Sequence, residues 1–145
     1  MMEKSFQAKA RRSDSVITCR DLEVSQAATW FAAEIYRVTR GLGHVSGTML
    51  RDTLCRVADS LPLMIAKGQG GRSPRESFRA IASARIAIAQ LDAQLFVSER
   101  TAEIPHAELT MLRQILRFID SYCSMSCPTR EEAGLGDMAG SMLAS

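Results

Sequence analysis

Four stretches of this chain set apolar residues three and four positions apart, and no strand pattern competes with them. Ala28, Phe31, Ile35, Val38 and Leu42 form the first set, and Leu50, Leu54, Val57, Leu61 and Met64 the second. Ser77, Ile81, Ala84, Ile88, Leu91 and Leu95 follow, then Leu109, Leu112, Leu116, Ile119 and Cys123. Each set falls on one stripe of a 3.6-residue helix. Helices of this length are marginal alone in water, so the four must dock, each fully buried Leu, Ile or Phe contributing roughly 1.5–3 kcal/mol. Connections of a few residues make sequential helices neighbours. The expected fold is all-α, an antiparallel up-down-up-down four-helix bundle.

Punctuation residues place the boundaries. Asp21 offers a cap for the first helix, and Gly41 and Gly43 end it. Pro62 lies within the second, where its ring removes a donor and meets the carbonyl four residues back at a cost of about 3 kcal/mol. Leu61, Met64 and Ile65 carry the stripe across it, which predicts a helix bent near Ala58 rather than broken. Ser73-Pro74-Arg75-Glu76 reads as N-cap, first-turn proline and a carboxylate three after the cap. The organisation expected is a mobile basic arm over 1–20, the bundle over 21–123 and a flexible tail over 124–145. No apolar run approaches the ~20 residues that cross a bilayer, and the start is too basic for a signal peptide, so a cytoplasmic protein without membrane contact is expected.

Charge is distributed unevenly. The chain carries +2 overall, yet residues 1–101 hold 15 basic and 10 acidic side chains, against 3 and 6 over 102–145. Lys67, Arg72, Arg75, Arg79 and Arg85 face only Glu76 within their own stretch. Such an excess attracts phosphates or an acidic surface, or simply solvates a helix start. Lys67, Arg72, Arg75 and Arg79, with the arm residues Lys4, Lys9, Arg11 and Arg12, are the candidate nucleic-acid contacts. No aromatic residues alternate with these cations, so low sequence specificity is expected.

Catalytic machinery has no candidate, and neither a cofactor nor a metal is expected. Gly68-Gln69-Gly70-Gly71-Arg72-Ser73 runs into a helix start but lacks the Gly-Lys-Ser/Thr ending of a P-loop, and reads as a turn. His44 and His106 lie in connections, away from Cys19, Cys55, Cys123 and Cys127, which form no repeated C-x-x-C pair. Ser60 and Ser83 have no histidine in register to act as base. Arg85, Asp92 and Glu99 recur every seven residues in an apolar sector and should form a structural ion network. A di-metal bundle site wants Glu-x-x-His within a helix, and none occurs.

Apolar surface exceeds what one small bundle hides. Phe78, Ala82, Ala89, Ala93 and Phe96 cover a second sector of helix 3, which is expected to be buried over more than one face. Trp30 and Tyr36 lie off the stripe of helix 1, and Met111, Ile115, Phe118 and Tyr122 form a second stripe on helix 4. These six residues are the candidate oligomer interface.

Three segments carry a resemblance over Asp21 to about Ile119. They are Glu34-Ile35-Tyr36-Arg37-Val38-Thr39, then Ser60-Leu61-Pro62-Leu63-Met64-Ile65-Ala66-Lys67-Gly68 running into Gly71-Arg72-Ser73-Pro74-Arg75-Glu76, then Ala84-Arg85 with Leu91-Asp92-Ala93-Gln94-Leu95. In this order they resemble the bacterial four-helix bundle proteins encoded in intervening sequences of 23S ribosomal RNA genes. That family usually has Asn and Glu at Met64 and Lys67, and Gly-Ser followed by Glu at Ile86-Ala87 and Gln90. The resemblance implies a four-helix bundle assembling as a ring of five subunits. More distantly the chain is similar to the accessory variability proteins of retroelements, which associate with a reverse transcriptase and nucleic acid. The function expected is a non-enzymatic, self-associating module that binds RNA or a nucleoprotein partner, with a purely protein-binding scaffold as the alternative.

Overall fold

Thr18 opens the first helix. Its hydroxyl accepts the Asp21 N–H at 3.2 Å while the Asp21 carboxylate accepts the Thr18 N–H, a reciprocal capping box. Asp21 is therefore the third residue of the first turn rather than the cap, and Cys19 and Arg20 are helical rather than part of an arm. The computed structural model describes residues 18–42, 45–101 and 104–126. Lys4, Lys9, Arg11, Arg12, His44, Cys127 and most of the expected tail lie outside them.

Among the described residues there are four helices and no strand. They are α1 Cys19–Thr39, α2 Val45–Gly70, α3 Pro74–Arg100 and α4 His106–Ser126. Each packs against its neighbour in sequence and α1 also packs against α4, whereas the backbones of α1 and α3, and of α2 and α4, do not approach one another. The four expected stripes supply the interior. Phe31, Ile35, Leu54, Leu61, Leu91, Leu95, Leu112 and Ile119 are fully buried, with Ala28, Ala84, Ile88, Leu109, Leu116 and Cys123 around them.

α2 runs unbroken through Pro62 to Gly70. Leu61 and Ile65, on either side of the proline, have no exposed surface, and their burial offsets the ~3 kcal/mol of the lost bond and ring clash. The glycines after it serve close packing. A Cβ on Gly68 would lie 2.8 Å from Cγ1 of Ile81 in α3, and one on Gly71 would press on Ser77. Ser73 caps α3, accepting the Glu76 N–H at 3.2 Å, and Pro74 takes the first helical position.

α3 departs from expectation on its second sector. Ala89, Ala93 and Phe96 are exposed, and Phe78 and Ala82 only half-buried, so within one protomer this helix is buried on one side alone. By length and composition α3 is apolar enough to cross a membrane, a test that the core helix of a bundle also passes. Ile81, Ala84, Ile88, Leu91 and Leu95 face the bundle core.

Candidate nucleic-acid interface

Three helix ends are tied together at one pole of the bundle. The Tyr122 hydroxyl, near the end of α4, donates to Asp21 Oδ1 at 2.5 Å. Gln69, near the end of α2, donates through Nε2 to the Asp21 carbonyl at 2.7 Å and to the Tyr122 hydroxyl at 3.3 Å. Arg20 reaches toward the Met125 sulfur at 3.7 Å. Burial, and next the bond to Asp21, push the Tyr122 hydroxyl above its ordinary pKa of 10.0. The neutral phenol is thus favoured by folding. Its contribution is complete below pH 10 and disappears as pH rises through the raised value. Tyr122→Phe is expected to cost about 1 kcal/mol in neutral urea titrations, because Asp21 and Gln69 each lose a partner. The variant should also lose part of the stability decline seen above pH 10, and an unchanged alkaline profile would count against this hub.

The basic candidates lie at the same pole, because Lys67 sits in the last turn of α2, Arg72 in the connection, and Arg75 and Arg79 in the first two turns of α3. All four side chains are exposed. Lys4, Lys9, Arg11 and Arg12 lie outside the described residues. At the start of α3 the Glu76 N–H donates to Ser73 Oγ, and the Glu76 carboxylate accepts the N–H of Arg72, the residue before the cap, with an N···O distance of 3.0 Å. What the pole presents is a set of side-chain cations on a rigid junction, suited to phosphate attraction without base reading.

The six apolar candidates divide. Trp30, Tyr36 and Phe118 are exposed, and Met111 and Ile115 are half-buried. Tyr122 is buried within the protomer, so its place on the second stripe is used inside the chain rather than at a surface. Arg37 donates to Glu108 Oε2 at 2.6 Å at one end of the α1–α4 seam, and Tyr122 meets Asp21 at the other. Trp30 lies two turns from Arg37 on α1, and Phe118 one turn from Tyr122 on α4, so both border this seam. Tyr36 points to α2 instead, its hydroxyl donating to Asp59 Oδ2 at 2.6 Å. The bond to Asp59 raises its pKa. Glu34 and Glu108 raise that of Arg37, which stays charged.

Sequence reasoning missed Ile86 and Val97, both exposed, which share the outward face of α3 with Ala93. Their spacing of 11 residues, three helical turns, was the available signal.

The seven-residue repeat of Arg85, Asp92 and Glu99 forms ion pairs across to α4. Arg85 faces Asp120 at 3.7 Å, Asp92 faces Arg113 at 3.8 Å, and Glu99 meets Arg113 at 2.8 Å and His106 at 3.4 Å. The structural network read from the sequence is present. Cys19 is exposed, and Cys55 and Cys123 are buried, with Cys55 Sγ 3.7 Å from the Thr39 hydroxyl. Among the described residues no three His, Cys, Asp or Glu side chains gather as metal ligands would.

The profile of the family described as 23S rRNA-intervening sequence protein matches residues 20–123, from the first turn of α1 to the last buried residue of α4. No curated protein and no solved structure matches the chain.

Proposed function

The chain belongs to the 23S rRNA-intervening sequence protein family, and from that premise we propose that it is a non-enzymatic, self-associating bundle that binds RNA or a nucleoprotein partner through Lys67, Arg72, Arg75 and Arg79. The observation that carries this reading is the gathering of four exposed cations, Lys67, Arg72, Arg75 and Arg79, at one pole. We read the bundle as antiparallel, up-down-up-down. The meeting of the start of α1 with the ends of α2 and α4, and of its end with the start of α4, supports that course.

Self-association is read as a ring, with five subunits as the expected number. A closed ring needs two different, complementary patches on each subunit. The exposed Trp30 and Phe118 beside the α1–α4 seam supply one, and Ile86, Ala93 and Val97 on the outer face of α3 the other. Since the backbones of α1 and α3 do not approach one another, these patches look out in different directions. Ring symmetry then repeats the basic pole, so several modest patches act together on one RNA.

Fluorescence anisotropy with a structured RNA at two salt concentrations tests the nucleic-acid reading. Each neutralised phosphate contributes about 0.7–0.9 to the fall of log affinity with log salt, so Arg72→Ala, Arg75→Ala and Arg79→Ala together should flatten the slope by roughly 2–3 per subunit engaged. If the wild type binds no RNA at low salt, or if the triple variant keeps the full slope, the protein-binding scaffold replaces this reading.

A further inference from the structure

The groove between α3 and α4 is lined by three guanidinium groups that its own carboxylates do not saturate. It encloses about 480 Å³, with Ile88, Ala89 and Leu116 as an apolar floor and Arg85, Arg113 and Arg117 set against Asp92 and Asp120. The two facing pairs, Arg85 with Asp120 at 3.7 Å and Arg113 with Asp92 at 3.8 Å, are too long for N–H···O hydrogen bonds, which span 2.7–3.2 Å. Arg117 is exposed and makes no hydrogen bond or ion pair among the described residues.

Arg113 is held in place while one of its donors is left over. Its Nη1 donates to Glu99 at 2.8 Å, and its guanidinium carbon stands 5.9 Å from the centre of the Phe96 ring. Its Nε is shut off from solvent and has no hydrogen-bond partner. That nitrogen stands 3.8 Å from Asp92 Oδ1, so the groove meets Arg113 through the remainder of its guanidinium. Arginine forks match the geometry of phosphate oxygens, and of the three guanidinium groups only Arg113 has a close carboxylate partner, Glu99, which lies outside the lining.

We propose that this groove is a binding site for a phosphate monoester, the phosphate lying among Arg85, Arg113 and Arg117 and the rest of the ligand on the floor of Ile88, Ala89 and Leu116. The volume exceeds what a bare phosphate fills and suits a body of nucleoside size. The site is separate from the basic pole and stands or falls independently of it, since none of its residues belongs to Lys67, Arg72, Arg75 and Arg79.

Calorimetric titration of the full chain at low salt with 5′-AMP, inorganic phosphate and adenosine tests it. 5′-AMP should bind, inorganic phosphate more weakly, and adenosine not at all. Arg117→Ala, which removes an exposed side chain without a partner, should keep the wild-type helical signal and weaken 5′-AMP binding about tenfold or more. Arg79→Ala should leave it unchanged. A short oligoribonucleotide that displaces 5′-AMP would identify the phosphate as that of a nucleic-acid end. Its failure to compete would identify a free nucleotide, and the site stands in either case. Absence of 5′-AMP binding at millimolar ligand, equal binding of adenosine, or full affinity in Arg117→Ala would overturn the proposal.

Discussion

Truncating Phe31 to alanine is expected to remove roughly 3–5 kcal/mol of stability, a large part of the 5–15 kcal/mol that holds a domain of this size. Phe31 has no exposed surface and sits midway along α1, the helix that packs against both α2 and α4. Loss of its ring leaves a cavity bounded by two neighbouring helices, which close-packed side chains fill only partly. Urea titration should show a lower midpoint with an unchanged slope, and the melting temperature should fall by about 10–20 °C. Leu63→Ala on α2 is the comparison, because 65% of Leu63 is exposed and its removal should change stability by less than about 1 kcal/mol. Equal losses at the two positions would mean that the core is not centred on the α1 stripe.

The second large effect is expected on assembly. Trp30→Glu and Val97→Glu should each convert the proposed ring to a species near the 15.9 kDa protomer mass in light scattering. Trp30 is 47% exposed on α1 and Val97 53% exposed on α3, so each protomer should fold with either substitution. A carboxylate carried into an apolar interface loses its hydration without gaining a partner, and a ring suffers that cost at every contact. A ring joined by two different patches makes a sharper forecast. Mixed in equal amounts, the two variants retain one intact pairing, the wild-type α3 face of one with the wild-type α1–α4 seam of the other. They should give dimers of twice the protomer mass and nothing larger. Wild-type mass in either single variant would remove that patch from the interface, and a mixture that stays monomeric would reject the two-patch ring.

Much of the fold was legible because helical spacing is a local property. Phe31, Leu61, Leu91 and Leu112 in the four stripes are fully buried, with Val38, Leu50, Val57 and Met64 partly so, and the start of α3 is capped by Ser73 as its sequence predicts. Boundaries were less legible. Thr18 and Asp21 are both good capping residues three apart, and only the backbone shows which one is the cap. Pro62 set a local cost against a tertiary gain, and the burial of Leu61 and Ile65 decided for a continuous helix.

The candidate site was legible in part for the same reason. Lys67, Arg72, Arg75 and Arg79 are close in sequence around a tight connection, so their gathering at one pole needed no long-range information. The α3–α4 groove depends on the register of helices whose paired residues are far apart, Arg85 with Asp120 and Asp92 with Arg113. The seven-residue spacing on α3 announced an ion network, yet it did not say that Arg113 would leave Nε unpartnered or that Arg117 would stand alone.

By itself the sequence determined the number of helices, one apolar stripe on each and the basic pole, since all three follow from residues within a few turns of one another. Only the tertiary structure decided that Tyr122 lies inside while Phe118, one turn away, lies outside, and that α3 is covered on one side alone. A helix with two apolar sectors has no local reason to bury one rather than the other. The choice belongs to its neighbours, because Asp21 of α1 and Gln69 of α2 offer the Tyr122 hydroxyl partners on the inner side of α4.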